Sequence, residues 1–106
     1  MATIADFQQI DLRVATIIAA EHHPNADRLL VLRIDVGGEP RQIVAGIRAS
    51  YEPSALVGKQ IVVVANLEPA KLRGVESQGM LLATRDGDRV VLLGPDAAVA
   101  SGSKVS

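Results

Sequence analysis

Apolar residues recur along this chain at every second position or in short unbroken runs, and turn residues part them at short intervals. Leu12 to His23, "LRVATIIAAEHH", reads as a first strand, followed by the turn "HPNAD", where Pro24 fixes φ and Asn25 tolerates unusual backbone angles. "LLVLRIDV" is a second strand. Gly37 and Gly38 interrupt the pattern before "RQIVAGI", a third strand that Gly46 bends or bulges. "EPSALVG" reads as a helical turn closed by Gly58, "KQIVVVANL" as a fourth strand and "GMLLAT" as a fifth. Asp86-Gly87 predicts a tight hairpin into "RVVLL". At the N-terminus, Thr3 followed by Asp6 resembles a helix-capping box with Asp in place of Glu. One stretch, "NLEPAKLRGVESQGMLLAT" from Asn66 to Thr84, is neither a clean strand nor a clean helix.

The pattern is that of a small all-β domain, 1–106, with no internal repeat or linker. Five strands with one helical turn between the third and fourth, and small additions at both ends, suit an oligonucleotide/oligosaccharide-binding (OB) barrel. Hydrophobic residues make up 48% of the 106, yet only Phe7 and Tyr51 are aromatic, so the core is expected to be Val, Ile, Leu and Ala. The same scarcity argues against generic single-strand binding, which stacks bases on exposed aromatic rings. Any RNA recognition would work instead through shape, backbone charge and hydrogen bonds.

There is no cysteine, which excludes disulfides and thiolate metal sites and fits a reducing, cytoplasmic setting. The N-terminus does not read as a signal peptide, and no apolar run approaches membrane-spanning length. Net charge is −1, but its distribution is uneven: from Arg28 to Arg73 seven bases meet four acids, so this segment carries +3 and the remainder −4. From charge alone, exposed arginines that merely solubilise the strands are the better reading than an RNA footprint.

"IDLRVATIIAAEHHPNADRLLVLRIDVG" (Ile10 to Gly37) and "IVAGIRASYEPSALVGKQIVVVANLEPAKLRGVESQGMLLAT" (Ile43 to Thr84) together resemble the tRNA-binding domain family over nearly the whole chain. That family includes the C-terminal domain of many methionyl-tRNA synthetases, free-standing structure-specific tRNA-binding proteins and a secretion-related chaperone branch. The resemblance implies a non-catalytic OB barrel that binds tRNA by its folded shape. It further implies a homodimer for a free-standing member, with an aminoacyl-tRNA synthetase as a further possible partner. It implies neither cofactor nor metal, and no membrane. "HPNADRLLVLRIDVGG" is similar to the synthetase-type and free-standing members rather than to the peptide-binding branch, which stays as the alternative. A chain running from Met1 to just past the barrel is expected to be free-standing, although a synthetase fragment would look identical.

In the family the segment matching "ESQGM" lines the tRNA-binding face, which assigns Ser77 and Met80 to it. A hydroxyl can donate to a phosphate or 2′-OH, and a thioether can pack on a sugar or base. The rival readings are a turn residue for Ser77 and a core residue for Met80. Lys71 and Arg73, two apart on an extended segment, are expected to project to one side toward neighbouring phosphates. Asn66 is placed to cap the loop or touch RNA. Arg28, Arg33 and Arg48 are expected to converge on the same face from other strands and turns. Gly74 and Gly79 read as backbone devices. Glu68, Ala49 and Ser50 depart from the family pattern at positions often basic or polar, which implies modest affinity.

Enzyme signatures are missing from the sequence. "VESQG" has Val75 where a nucleophile elbow needs its first glycine, and "VGKQ" lacks the spaced glycine and hydroxyl of a phosphate-binding loop. His22 and His23 would point to opposite faces of a strand, which is poor geometry for one metal. Asp86 and Asp88 bracket a hairpin glycine and are expected to define that turn. The apolar residues of "LLGPDAAVASGSKV" either support a dimer or close the barrel.

Overall fold

Strand β1 (Leu12–His22) organises the computed structural model, which describes residues 1–106. Its first half pairs with β4 (Gln60–Val64) and its second half with β2 (Leu30–Asp35), all antiparallel. The register shifts between Ile17 and Ala19, leaving Ile18 as an extra, exposed residue. A bulge of this kind bends the strand and raises its twist, so one strand can serve two halves of a curved sheet. β3 (Pro40–Ala45) pairs with β2 and β7 (Met80–Leu81) with β4, giving the order β3-β2-β1-β4-β7. The result is the expected all-β, nearly closed five-stranded barrel.

The core follows the alternation read from the sequence. Ala15 and Ile17, Leu30, Leu32 and Ile34, Ile43 and Ala45, and Ile61 and Val63 point inward from successive strands, without one aromatic residue fully buried among them. The expected helical turn is a 3-10 turn at Pro53–Ala55, and it delivers the fully buried Leu56 to one end of the barrel. The Thr3 hydroxyl accepts from the Asp6 amide while the Asp6 carboxylate accepts from the Thr3 amide, so the capping box starts α1 (Ile4–Gln8). His22 and His23 face opposite ways, the first exposed and the second buried.

The stretch that fitted no regular element contains a hairpin of its own. β5 (Ala70–Leu72) and β6 (Val75–Ser77) pair antiparallel, and Arg73 and Gly74 form the turn with φ of 54° and 91°. Two positive φ angles in a two-residue turn match the right-handed twist of the flanking strands, a geometry that favours Asn-Gly. Arg73 is the single non-glycine residue of the chain with positive φ. The predicted fifth strand is also interrupted: after β7 the chain forms a second hairpin, β8 (Ala83–Asp86) with β9 (Arg89–Leu92). The C-terminal β10 (Lys104–Val105) pairs with the start of β1 on the edge opposite β4, so this segment extends the sheet beside its central strand.

Closure between β3 and the β5–β6 hairpin uses side chains where a ladder would normally run. The Gln42 amide donates to Gln78 Oε1 at 3.0 Å, the Gln78 amide donates back to the Gln42 carbonyl at 2.7 Å, and Gln42 Nε2 donates to the Glu76 carbonyl at 2.9 Å. One step along, the Val44 amide donates to Ser77 Oγ at 2.9 Å. These bonds satisfy the donors of an edge strand that would otherwise be open. Gly79 lets the chain turn back: its φ is 131°, and a Cβ there would lie 2.9 Å from the Val64 carbonyl oxygen.

Candidate nucleic-acid interface

Ser77 stands at the centre of the expected site, and its hydroxyl has partners inside the fold, as the turn-residue reading expects. It is buried, its hydroxyl accepts from the Val44 amide, and its proton goes to the Gly79 carbonyl 2.9 Å away. Its one O–H donor and one of its two lone pairs are used inside the fold, so that donor is not free for a phosphate. Asn66 takes the capping role, one of its two expected readings, and it stays exposed. Its Oδ1 accepts from the Asp11 amide at 2.9 Å and its Nδ2 donates to the Gln9 carbonyl at 2.8 Å, which ties α1 to the end of β4. Ser50, one of the departures from the family pattern, holds the β9 amide of Val90.

Lys71 and Arg73 do not share one face of an extended segment. Lys71 lies on β5 directly opposite Glu76, whereas Arg73 sits in the turn with left-handed backbone, so period-two alternation ends before it. Both remain exposed, and Met80 is half exposed beside the hairpin rather than in the core.

The arginines divide into two groups. Arg13, Arg41 and Arg89 are engaged by Asp11, Glu39 and Asp86. Arg28, Arg33, Lys71 and Arg73 take part in none of these three ion pairs. Arg28 and Arg73 line one cleft with Ala26, Asp27 and Leu29, and Arg48 is fixed nearby by donating to the Asp27 carbonyl at 2.8 Å. Arg33 lies apart, in a separate polar hollow with Arg41, Gln42, Glu76 and Gln78. Of the expected arginines, therefore, three gather at one end of the barrel and one does not.

Sequence reasoning missed His23 as a structural contact. Its Nδ1 accepts from the Asn25 amide at 2.9 Å, which leaves Nε2 to donate to the Leu72 carbonyl at 2.9 Å. The one signal was the adjacency of two histidines at a strand end, which alternation turns to opposite faces. Gln42 and Gln78 were missed because nothing local marks a side chain as the partner of a distant strand edge. Tyr51 is partly buried with its hydroxyl accepting from the Leu92 amide, which leaves Phe7 as the exposed aromatic ring. No group of three or more His, Asp or Glu side chains is placed to hold a metal ion. No helix is long and apolar enough to cross a membrane.

A family model described as "Putative tRNA binding domain" matches residues 12–104. Methionine--tRNA ligase of Thermotoga maritima is 59% identical over 104 residues, covering 98% of this chain and 16% of the ligase. The corresponding enzyme of Thermococcus kodakarensis is 56% identical over 100 residues, or 94% of this chain and 14% of the ligase. The chain thus spans about one seventh of the length of such ligases. Among solved structures, a MetRS related protein from Pyrococcus horikoshii superposes with a TM-score of 0.92 at 34% identity, covering 100% of this chain and 98% of that one. The chaperone CsaA from Bacillus anthracis gives 0.91 at 36% identity, with 100% and 99% covered. The match over residues 12–104, the identity to the ligase segments and the shared barrel place this chain in the tRNA-binding domain family.

Proposed function

We propose that this chain, acting as one domain, binds folded tRNA without catalysing a reaction. It does so either in trans or as the tRNA-binding part of a methionyl-tRNA synthetase in the cytoplasm. The observation that carries the reading is the group of arginines free of ion pairs at one end of the barrel: Arg28 and Arg73 in one cleft, with Arg48 beside them. Unpaired guanidiniums offer planar donor forks suited to phosphate oxygens. Lys71 and Met80 flank this end on and beside the β5–β6 hairpin, and Arg33 adds a more distant charge. Lacking a stacking platform, the domain would recognise arrangement of backbone rather than unstacked bases.

The test is competition between folded tRNAs of several specificities and an unstructured RNA of the same length. Folded tRNAs should bind about equally and displace the unstructured RNA; equal binding of the unstructured RNA contradicts shape recognition.

We also propose a homodimer. All of α1 is unburied, and Ile4, Phe7 and Ile10 are exposed together with Leu67, the residue after the Asn66 that anchors the helix. An apolar surface of this kind is stabilised when a second copy covers it. Two linked domains would also raise affinity for tRNA. Light scattering across a dilution series should give twice the monomer mass, falling on dilution; a constant monomer mass removes the dimer.

A second reading has its own observation. Val44, Leu72, Met80, Leu81 and Val90 form a largely apolar hollow beside the hairpin, and the chain superposes on a chaperone. Peptide capture there predicts that an apolar peptide competes with tRNA through Met80, whereas the arginine cleft is untouched.

A further inference from the structure

Two polar side chains are buried in this protein, Ser77 and His23, and only Ser77 belongs to the seam that closes the barrel. His23 joins two segments 49 residues apart. On one side its Nδ1 caps the Asn25 amide in the turn that continues to Arg28; on the other its Nε2–H holds the carbonyl of Leu72, the residue before Arg73. One imidazole thus fixes the relative position of the two walls of the cleft that Arg28 and Arg73 line. Asp27 lines the same cleft, and with Arg48 held on its carbonyl the group carries three guanidiniums against one carboxylate, a balance favouring an anion. Arg73 occupies a left-handed turn position where Asn or Gly would be less strained, so the charge is kept at an unfavourable backbone angle.

We propose that the cleft holds a single RNA phosphodiester between Arg28 and Arg73, and that His23 is the positioning residue that sets the separation of the two guanidiniums. The proposal rests on the RNA reading above and adds to it a shared phosphate and a buried latch. Two arginines on facing walls of one cleft converge on one anion, whereas arginines on a flat face would each meet their own phosphate.

The experiment measures binding of a folded tRNA by the full chain across a salt series, with Arg28→Ala and Arg73→Ala made singly and together. A shared phosphate predicts that the double variant lowers the salt slope by about 1 and loses little more affinity than either single change. A loss of about 2 in slope, with independent effects, overturns the shared site. Two variants at His23 then separate its bonds. His23→Asn keeps an oxygen near the position of Nδ1 for the Asn25 amide but is too short to reach Leu72, whereas His23→Gln reaches the Leu72 carbonyl with its amide. His23→Asn should weaken tRNA binding about 10-fold, abolish the coupling between the arginines and speed hydrogen exchange at the hairpin amides, while His23→Gln stays within about 2-fold of the parent. Unchanged affinity, coupling and exchange in His23→Asn overturn the positioning role. A parent chain with no preference for folded tRNA overturns the RNA reading and this site with it, whereas a parent that prefers tRNA while its arginines act independently overturns this site alone.

Discussion

The "ESQGM" segment and the hairpin tip lie within a few residues of each other, yet their side chains do opposite things. Ser77 and Gln78 spend their hydrogen bonds inside the protein, closing the edge of β3. Lys71 and Arg73 enter none of the three ion pairs and stay exposed at the other end of the same hairpin. A motif shared with a binding family can therefore include residues that hold the fold together. Here Ser77 and Gln78 brace the edge of β3, and the neighbouring Lys71 and Arg73 carry the positive charge.

The comparison makes predictions that can be ranked by size. Leu32→Ala removes a fully buried side chain from the barrel core and should destabilise the fold by about 2–5 kcal/mol in chemical denaturation, with tRNA affinity of the folded fraction unchanged. Ser77→Ala strands the buried Val44 amide and should cost about 1–3 kcal/mol of stability. If Ser77→Ala left stability intact and lowered affinity, the division between bracing and contact would be wrong. Arg73→Asn should move stability the other way, up by about 1 kcal/mol as left-handed strain is relieved, while weakening tRNA binding. Opposite signs in one variant mark a residue kept for function rather than folding. Lys71→Ala, the smallest effect on the fold, should leave the melting temperature unchanged and lower the salt slope of binding by about 1. An unchanged slope would assign Lys71 to its cross-strand neighbour Glu76 instead.

Much of the barrel was legible because its cause is local. Alternating Val, Ile and Leu fix which face of each strand is buried, Thr3 and Asp6 cap α1 from three residues apart, and Pro53 starts the 3-10 turn. The β5–β6 hairpin was not legible, since Arg73 stands where the turn prefers Asn and three-residue strands are too short to show a period. Site residues were legible in proportion to how little they depend on distant contacts. Arg28 and Arg73 line one cleft, whereas Asn66 and Ser77 are held by partners that no local pattern reveals, Gln9 and Asp11 for one and Val44 and Gly79 for the other. Arg33, grouped with the other arginines from sequence, lines a different hollow, because where a strand residue lands on a closed barrel is set by topology.

The most direct test is a titration of the isotope-labelled chain with folded tRNA, read amide by amide. Contact through the hairpin tip and the turn after β1 predicts that the amides of Ala26–Leu29 and Lys71–Gly74 shift or broaden first, with those around β10 and the start of β1 little affected. Perturbation centred on β10 and the start of β1, with the hairpin tip silent, would contradict it.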